Sequence, residues 1–254
     1  MNERIALGVM LGVLLGAPAG QVQGQPAADR PITMVVPLPA GGTADLLCRL
    51  AAERASPWLG QQIVIDNRAG GAGGRVGTES VLRSPPDGHT LLCAPQLTYS
   101  ITHLVFTRTA FDTRAMEPVS VLATYPLIVL ARPGLPVDDL PKLIAYAKIN
   151  PGKVNYGHQG KGNTGHLLGE LLTLPGVHAD TWMGVAAPPG TPKETTTAIS
   201  DAIGRAFAQS DVRARILALE ATPLGTSPDK MRKMITRSIE HWGPVVEAAN
   251  IGVE

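Results

Sequence analysis

The chain has 254 residues, and its 22 lysines and arginines against 21 aspartates and glutamates give a formal net charge of +1. This length can bury a sizeable core, either as one large α/β domain or as two smaller lobes. The balanced charge gives no support for nucleic acid as a partner. Since only 4% of the residues are aromatic, we expect a small polar ligand rather than a stacked sugar or a large hydrophobic molecule.

An apolar segment from Ile5 to Ala17 follows Arg4 and precedes the small-residue pattern Ala17-Pro18-Ala19. This arrangement is typical of a secretory signal peptide, which we assign to residues 1–19. The apolar run is shorter than a membrane span requires, and a buried N-terminal helix is the alternative. The signal peptide predicts export to the periplasm.

The first predicted strand, loop and helix run from Met34 to Leu50. Met34–Val36 suits a buried strand, and the prolines and glycines of residues 37–42 end it in a tight loop. Thr43 is expected to cap the following helix, whose leucines recur at helical spacing. A helix N-terminus after a glycine loop presents unpaired N–H groups and the positive end of the helix dipole, so this unit predicts an anion site.

The next elements alternate between strands and helices. We predict strands over Gln62–Asp66 and Thr90–Ala94, with a short helix over Gly77–Arg83 between them. This alternation predicts a mostly parallel sheet with helices on its faces. Ligands of such sheets bind at the carboxyl ends of the strands, where the glycine-rich loops would emerge.

The middle of the chain repeats the opening pattern. A loop at residues 157–165 (GHQGKGNTG) leads into a helix that runs from Thr164 or Gly165 to Leu172. Asn163, Thr164 and His166 are the polar groups at its tip. Before this loop we predict strands over 119–122, 127–131 and 154–156 and a helix over Lys142–Lys148.

Three helices are predicted in the last part of the chain. Thr191–Glu194 has the form of a capping box with proline at the first helical position. Ser210-Asp211 and Ser227-Pro228 begin the next two helices. Apolar residues recur at helical spacing in all three, which predicts packing rather than a binding surface.

The motifs of catalysis and cofactor binding are missing from the sequence. The glycine run Gly70–Gly77 follows a strand, but Val76 stands where the dinucleotide fingerprint requires glycine or alanine. Neither the phosphate-binding loop G-x-x-x-x-G-K-[ST] nor the serine elbow G-x-S-x-G occurs, and the six histidines lack metal-ligand spacing. We therefore predict no catalytic residue, no cofactor and no metal site.

Four side chains allow two interpretations each. Cys48 and Cys93, the only cysteines, lie in apolar patterns that favour packed thiols, and a single disulfide is the alternative. Asp45 is either a cap stabilised by the helix dipole or a ligand contact through an amine, a hydroxyl or a water. His166 is either structural or a donor to an anionic ligand.

Two segments carry a resemblance to a known family, namely Val35–Asp45 (VVPLPAGGTAD) and Asp66–Gly74 (DNRAGGAGG). With the supporting matches they cover nearly the whole mature chain. On these residues the chain resembles the Bug-type periplasmic substrate-binding proteins, the receptors of tripartite tricarboxylate transport systems. The supporting matches are Pro86-Asp87-Gly88, Pro118–Ser120, Asn150–Tyr156 (NPGKVNY), Gly165–Leu167, Ala187–Pro192 (APPGTP) and Trp242-Gly243.

The resemblance implies an α/β, two-lobed periplasmic-binding-protein fold of type II, a Venus flytrap that holds a small carboxylate between its lobes. The first lobe would comprise residues 29–117 and 184–254, and the second lobe residues 118–183. Both lobes would contact the ligand, the second by closing onto it. The implied ligand-binding residues are Pro39, Ala40, Gly41, Gly42, Thr43 and Asp45 in the first lobe, and Gly162, Asn163, Thr164 and His166 in the second.

One part of the family pattern is missing. The predicted helix ending at Leu172 passes at once into Leu174-Pro175-Gly176, which resembles the return segment to the first lobe. The second lobe is therefore predicted to be truncated, with exposed sheet edges that favour aggregation.

By this resemblance we expect a monomeric, exported solute-binding protein without enzymatic activity. It would capture a di- or tricarboxylate, an acidic amino acid or an aromatic acid for the membrane subunits of a tripartite transporter. Two alternatives remain: a degenerate family member that binds no ligand and is an interaction module or non-functional, and a hydrolase without a located nucleophile.

Overall fold

The computed structural model describes residues 30–105, 112–158, 163–171 and 180–248. The predicted signal peptide, Gly162 and the junction after Leu172 lie outside these ranges. The strands are β1 Ile32–Val36, β2 Ile63–Asn67, β3 Thr90–Pro95, β4 Glu117–Pro126, β5 Asp180–Ala187 and β6 Thr222–Pro223. The α-helices are α1 Thr43–Leu59, α2 Arg75–Leu82, α3 Gln96–Ser100, α4 Thr102–Val105, α5 Leu140–Ile149, α6 Thr164–Leu171, α7 Lys193–Ala208, α8 Ser210–Leu217 and α9 Pro228–Ala248.

All six strands form one mixed sheet in the order β2-β1-β3-β5-β4-β6. β1 pairs in parallel with β2 and β3, whereas β5 is antiparallel to β3 and β4, and β4 is antiparallel to β6. The prediction of a mostly parallel sheet is therefore wrong for this second half. The cause is that the chain leaves the sheet after β4 and returns at the same end, so β5 must run in the opposite direction.

Five strand ends meet at one end of the sheet. β1, β2 and β3 finish there at Val36, Asn67 and Pro95, and we name it the carboxyl end of the sheet. β4 also finishes there at Pro126, which pairs with Asp180, the first residue of β5. Residues 127–179, named the inserted segment below, therefore leave and return beside the two glycine-rich loops.

The inserted segment contains two predicted strands that do not form. Residues 127–131 and 154–156 have no regular structure, and within the described residues the segment contains only helices α5 and α6. A strand needs a partner to accept its backbone hydrogen bonds, and the described part of the segment offers none. Ile128 and Leu130 are consequently 72% and 89% exposed, and no residue of α5 is buried.

The sequence patterns do not predict β5, although it lies between β3 and β4. Trp182 and Ala186 face one side of the sheet, and Met183 and Val185 face the other. Since helices cover both faces, β5 lacks the apolar and polar alternation that reveals a half-exposed strand. The sequence patterns likewise do not predict the short elements α3, α4 and β6.

Both predicted helix caps are wrong. Gly42 occupies the N-cap position of α1, no side chain caps that helix, and Thr43 is its first residue. At α7 the N-cap position is Pro192, and the Thr191 hydroxyl donates to the carbonyl of Pro188 instead. At both sites the N-cap residue is a glycine or a proline, so no side chain at that position accepts a hydrogen bond from the first turn of the helix.

Each face of the sheet carries its own core. α1, α7 and α8 cover one face, and α2, α3 and α9 cover the other. Cys48 of α1 and Cys93 of β3 form a disulfide within the first core. The prediction of packed thiols is therefore wrong, and the alternative of a single bridge is correct.

Candidate functional site

The loop between β1 and α1 gathers the first group of predicted ligand-binding residues. Pro39, Ala40, Gly41, Gly42 and Thr43 are all exposed on it, at the carboxyl end of the sheet. Gly41 has φ +91°, a left-handed conformation that favours glycine. The N-terminus of the 17-residue helix α1 follows directly, so its dipole gives this loop a positive potential.

Asp45 lies beneath the loop and is 1% exposed. Its Oδ2 accepts hydrogen bonds from the Gly41 N–H and from Arg49 Nε, each at 2.8 Å. Its Oδ1 accepts a hydrogen bond from Asn67 Nδ2 at 2.9 Å. Arg49 Nη2 in turn donates to Asn67 Oδ1 at 2.6 Å, and Asn67 donates to the carbonyl of Leu38 at 3.2 Å.

We name Asp45, Arg49 and Asn67 the Asp45 network. It ties the loop to α1 through Arg49 and to the end of β2 through Asn67. Burial alone would raise the pKa of Asp45, but the hydrogen bonds from Arg49, Gly41 and Asn67 and the charge of Arg49 outweigh burial and lower this pKa below its ordinary value. Asp45 therefore holds the loop in place and does not cap an N–H group of α1, and its contact with a ligand stays a prediction.

The glycine run after β2 packs against the first loop. Gly74 has φ +76°, and a Cβ placed on it would lie 2.7 Å from the carbonyl oxygen of Pro37. A Cβ on Gly77 would lie 2.8 Å from the carbonyl oxygen of Arg68 and 3.0 Å from Pro37 Cβ. The glycines therefore permit close contact between the two loops. This packing accounts for the glycine run, which does not match the dinucleotide fingerprint.

The second group of predicted residues lies at the start of α6. The Asn163 side chain accepts a hydrogen bond from the Gly165 N–H at 3.2 Å, and Thr164 is buried. The imidazole of His166 lies 4.8 Å from that of His158, and its Nε2 is 3.9 Å from Glu170 Oε1. Asn163 and His166 therefore have neighbours within the inserted segment, and their contact with a ligand stays a prediction.

Helix α6 is anchored through Leu167. This side chain is fully buried in a cluster with Leu97 and Ile101 of the region after β3 and with Trp242 of α9. Since α3 begins directly after β3, α6 also lies at the carboxyl end of the sheet. Both predicted groups are thus held at this end, the first by the Asp45 network and the second by α6.

Metal-ligand clusters and membrane-spanning helices would each indicate another kind of function. The described residues contain no group of three or more His, Cys, Asp or Glu side chains that could hold a metal ion. In the same part of the chain, no helix has the length and apolar character to cross a membrane.

Sequence reasoning missed Arg49 and Asn67. The spacing of Asp45 and Arg49 was an available signal, because residues four apart meet on one face of a helix. Asn67 had a weaker signal, since its position is at the end of a predicted strand beside the first loop. Its contact with Asp45 depends on the parallel pairing that brings Asn67 next to Val36.

Comparisons with known proteins point to one family. The model of the tripartite tricarboxylate transporter family receptor, TctC, matches residues 47–175, just over half of the chain. A UPF0065 protein of Bordetella pertussis is 36% identical over 143 residues, which are 56% of this chain and 44% of that protein. This alignment therefore spans less than half of that relative.

Protein BugT of the same organism aligns over more of its length. It is 27% identical over 296 aligned positions, which cover 85% of this chain and 88% of BugT. Because 296 positions exceed the 254 residues of this chain, part of BugT has no counterpart here. This difference agrees with a truncated second lobe.

Solved structures have the same fold. R. palustris Rpa4515 with adipate is 26% identical with a TM-score of 0.79, covering 88% of this chain and 99% of that one. MatC (Rpa3494) from Rhodopseudomonas palustris with bound malate is 26% identical with a TM-score of 0.76, covering 85% of this chain and 99% of that one. The chain thus has the α/β periplasmic-binding-protein fold with a truncated second lobe, and it belongs to the TctC family of tripartite tricarboxylate transporter receptors.

Proposed function

We propose that this protein is an extracytoplasmic solute-binding protein that captures a small carboxylate between the loop of Pro39–Thr43 and the inserted segment. The observation that carries the proposal is the exposed loop itself, fixed by the Asp45 network in front of the α1 N-terminus. Backbone N–H groups and a helix dipole favour an anion at this position. Capture needs no bond chemistry, and family members are substrate-binding proteins rather than enzymes.

The ligand class follows from the loop and from the relatives. The first loop recognises one carboxylate and does not specify the rest of the molecule. Related structures with adipate and with malate support a small dicarboxylate. We therefore propose di- and tricarboxylates as the first candidates, followed by acidic amino acids and aromatic acids.

The proposed location is the periplasm. The family consists of periplasmic binding proteins, and the disulfide between Cys48 and Cys93 suits an oxidising compartment. In this location the protein would act as a monomer that delivers its ligand to the membrane subunits of a tripartite transporter. The apolar segment Ile5–Ala17 would direct its export as a signal peptide.

One observation favours a second candidate, a family member that has lost ligand binding. No residue of α5 is buried, and the apolar side chains of Ile128 and Leu130 are exposed to solvent. An inserted segment with so few buried side chains in this region is expected to form a less stable side of the ligand cleft. The protein would then be an interaction module or have no transport function.

Calorimetric titration of the folded protein with malate, adipate, citrate, glutamate and benzoate separates these candidates. The matched variants are Gly42→Val and Gly243→Val. A Cβ at either glycine would have no neighbour within 4 Å, and neither glycine has a positive φ, so both variants should fold. Valine at 42 would fill space at the proposed site, whereas valine at 243 lies on α9.

We expect saturable heat for at least one acid, lost or weakened in Gly42→Val and kept in Gly243→Val. A folded wild-type protein that binds none of the five acids would refute the carboxylate proposal and favour the second candidate. Equal binding by both variants would show that the ligand binds elsewhere than at the first loop.

A further inference from the structure

The proposed carboxylate site contains a buried negative charge. Asp45 is ionised at neutral pH and lies directly beneath the loop, with its Oδ2 2.8 Å from the Gly41 nitrogen. Two carboxylates in one site repel each other unless a cation or several donors lie between or beside them. The loop therefore needs a residue that compensates the charge of Asp45 before it can accept an anion.

Arg49 has the geometry for this role. Its guanidinium donates through Nε to Asp45 Oδ2 at 2.8 Å and through Nη2 to Asn67 Oδ1 at 2.6 Å. The side chain is 46% exposed, so its positive charge faces solvent, from which an anion would approach, as well as Asp45. A planar guanidinium can hold two acceptors in fixed directions, which a lysine ammonium cannot reproduce.

We propose that Arg49 is a positioning residue that fixes Asp45 and Gly41 and makes this aspartate-containing loop selective for anions. Because the positive charge of Arg49 neutralises the negative charge of Asp45, the dipole of α1 sets the electrostatic potential at the loop. Asn67 supports Arg49, because it holds Asp45 Oδ1 and the carbonyl of Leu38 at the same time. This inference rests on the proposed function for its effect on affinity, whereas its effect on Gly41 holds without a ligand.

The variants are Arg49→Gln, which removes the charge, and Arg49→Lys, which keeps the charge without the two-pronged geometry. The matched control is Arg83→Gln, since Arg83 also pairs with an acidic residue at i,i+4 spacing. It lies 3.5 Å from Glu79 at the C-terminal end of α2 and is exposed. Each glutamine variant changes the net charge by the same amount. Thermal melting identifies a variant that has lost its fold.

The first measurement is the affinity for malate and adipate. Because the uncompensated charge of Asp45 would repel a bound carboxylate, we expect Arg49→Gln to weaken binding about tenfold or more, which corresponds to about 1.4 kcal/mol or more. Arg49→Lys should fall between Arg49→Gln and the wild type, and Arg83→Gln should match the wild type. Equal affinity of Arg49→Gln and the wild type for these acids would overturn the proposed selectivity.

The second measurement follows the Gly41 amide resonance by NMR between pH 3 and pH 7 without ligand. In the wild type this amide should report the lowered pKa of Asp45. Without Arg49, burial continues to raise the pKa of Asp45 while the opposing charge is lost, so the midpoint should move to higher pH. Arg83→Gln should keep the wild-type midpoint, and an unchanged midpoint in a folded Arg49→Gln would overturn the positioning role.

The two measurements also separate the two proposals. If the wild type binds no acid but the Gly41 midpoint rises in Arg49→Gln, the carboxylate function fails and the positioning of Asp45 and Gly41 stands. If the wild type binds an acid and Arg49→Gln changes neither affinity nor midpoint, the function stands and the role of Arg49 fails.

Discussion

Gly74 shows how one missing side chain sets the geometry of the site. Its φ is +76°, and a Cβ would meet the carbonyl oxygen of Pro37 at 2.7 Å. Gly152 has nearly the same φ, +74°, but a Cβ there would have no neighbour within 4 Å. A side chain at either position would have the same unfavourable positive φ. Only a side chain at position 74 would also collide with another part of the backbone.

We expect Gly152→Ala to cost about 1–2 kcal/mol from the left-handed conformation alone. Gly74→Ala should cost about 1–3 kcal/mol more, because the backbone of Pro37 has to move. Urea denaturation of both variants measures the difference. Equal losses of stability would mean that the loop of Pro37 adapts without cost.

The ionisation of Asp45 predicts a pH dependence of stability. Its pKa lies below the ordinary value of 3.8, so its stabilising effect is present above that value and is lost as the pH falls through the folded-state pKa. In Asp45→Asn this effect is absent at every pH. The difference in unfolding free energy between wild type and variant should therefore shrink between about pH 5 and pH 3, as measured by urea denaturation, and a constant difference would contradict it.

At the scale of elements, the disulfide joins α1 to β3 across 45 residues of sequence. A loop of this length predicts about 4 kcal/mol of stabilisation from the lower entropy of the unfolded chain. Urea denaturation with and without a reductant should show this loss. Cys48→Ala combined with Cys93→Ala is the control, because the sequence has only these two cysteines and the double variant should not respond to the reductant.

The buried side chain of Leu167 helps to hold helix α6 in position. Leu167→Ala should cost about 2–5 kcal/mol of local stability, since it leaves a cavity in the cluster around Trp242. Hydrogen exchange should become faster in α6 and stay slow in β1 and β3. Leu217→Ala is the control, because Leu217 is 56% exposed, and unchanged exchange in α6 would show that other contacts hold the helix.

At the scale of the whole molecule, the truncated second lobe leaves apolar side chains in solvent. We expect Leu130→Lys to reduce self-association, because Leu130 is 89% exposed beside the exposed Ile128. The melting temperature should hardly change, as is usual for surface substitutions. Light scattering as a function of protein concentration measures this self-association. Leu217→Lys is the control for an isolated exposed leucine. If both substitutions had the same effect, the inserted segment would have no particular role in self-association.

The sequence by itself determined the local units at the carboxyl end of the sheet. Hydrophobic runs, glycines and prolines predicted β1, the exposed loop of Pro39–Thr43 and α1, because these signals act over a few neighbouring residues. The family resemblance extended this to the fold and to the truncation, which the comparisons support. The ligand-binding role of the ten predicted residues stays a prediction.

Only the tertiary structure decided how these units meet. The antiparallel half of the sheet, the buried strand β5, the disulfide and the contact of Asn67 with Asp45 all join residues far apart in the sequence. Strands 127–131 and 154–156 fail for the same reason, since a strand needs a partner that its own sequence cannot supply. Local patterns therefore predicted the loop, while its fixation by Arg49 and Asn67 depended on packing that brings β2 and α1 together.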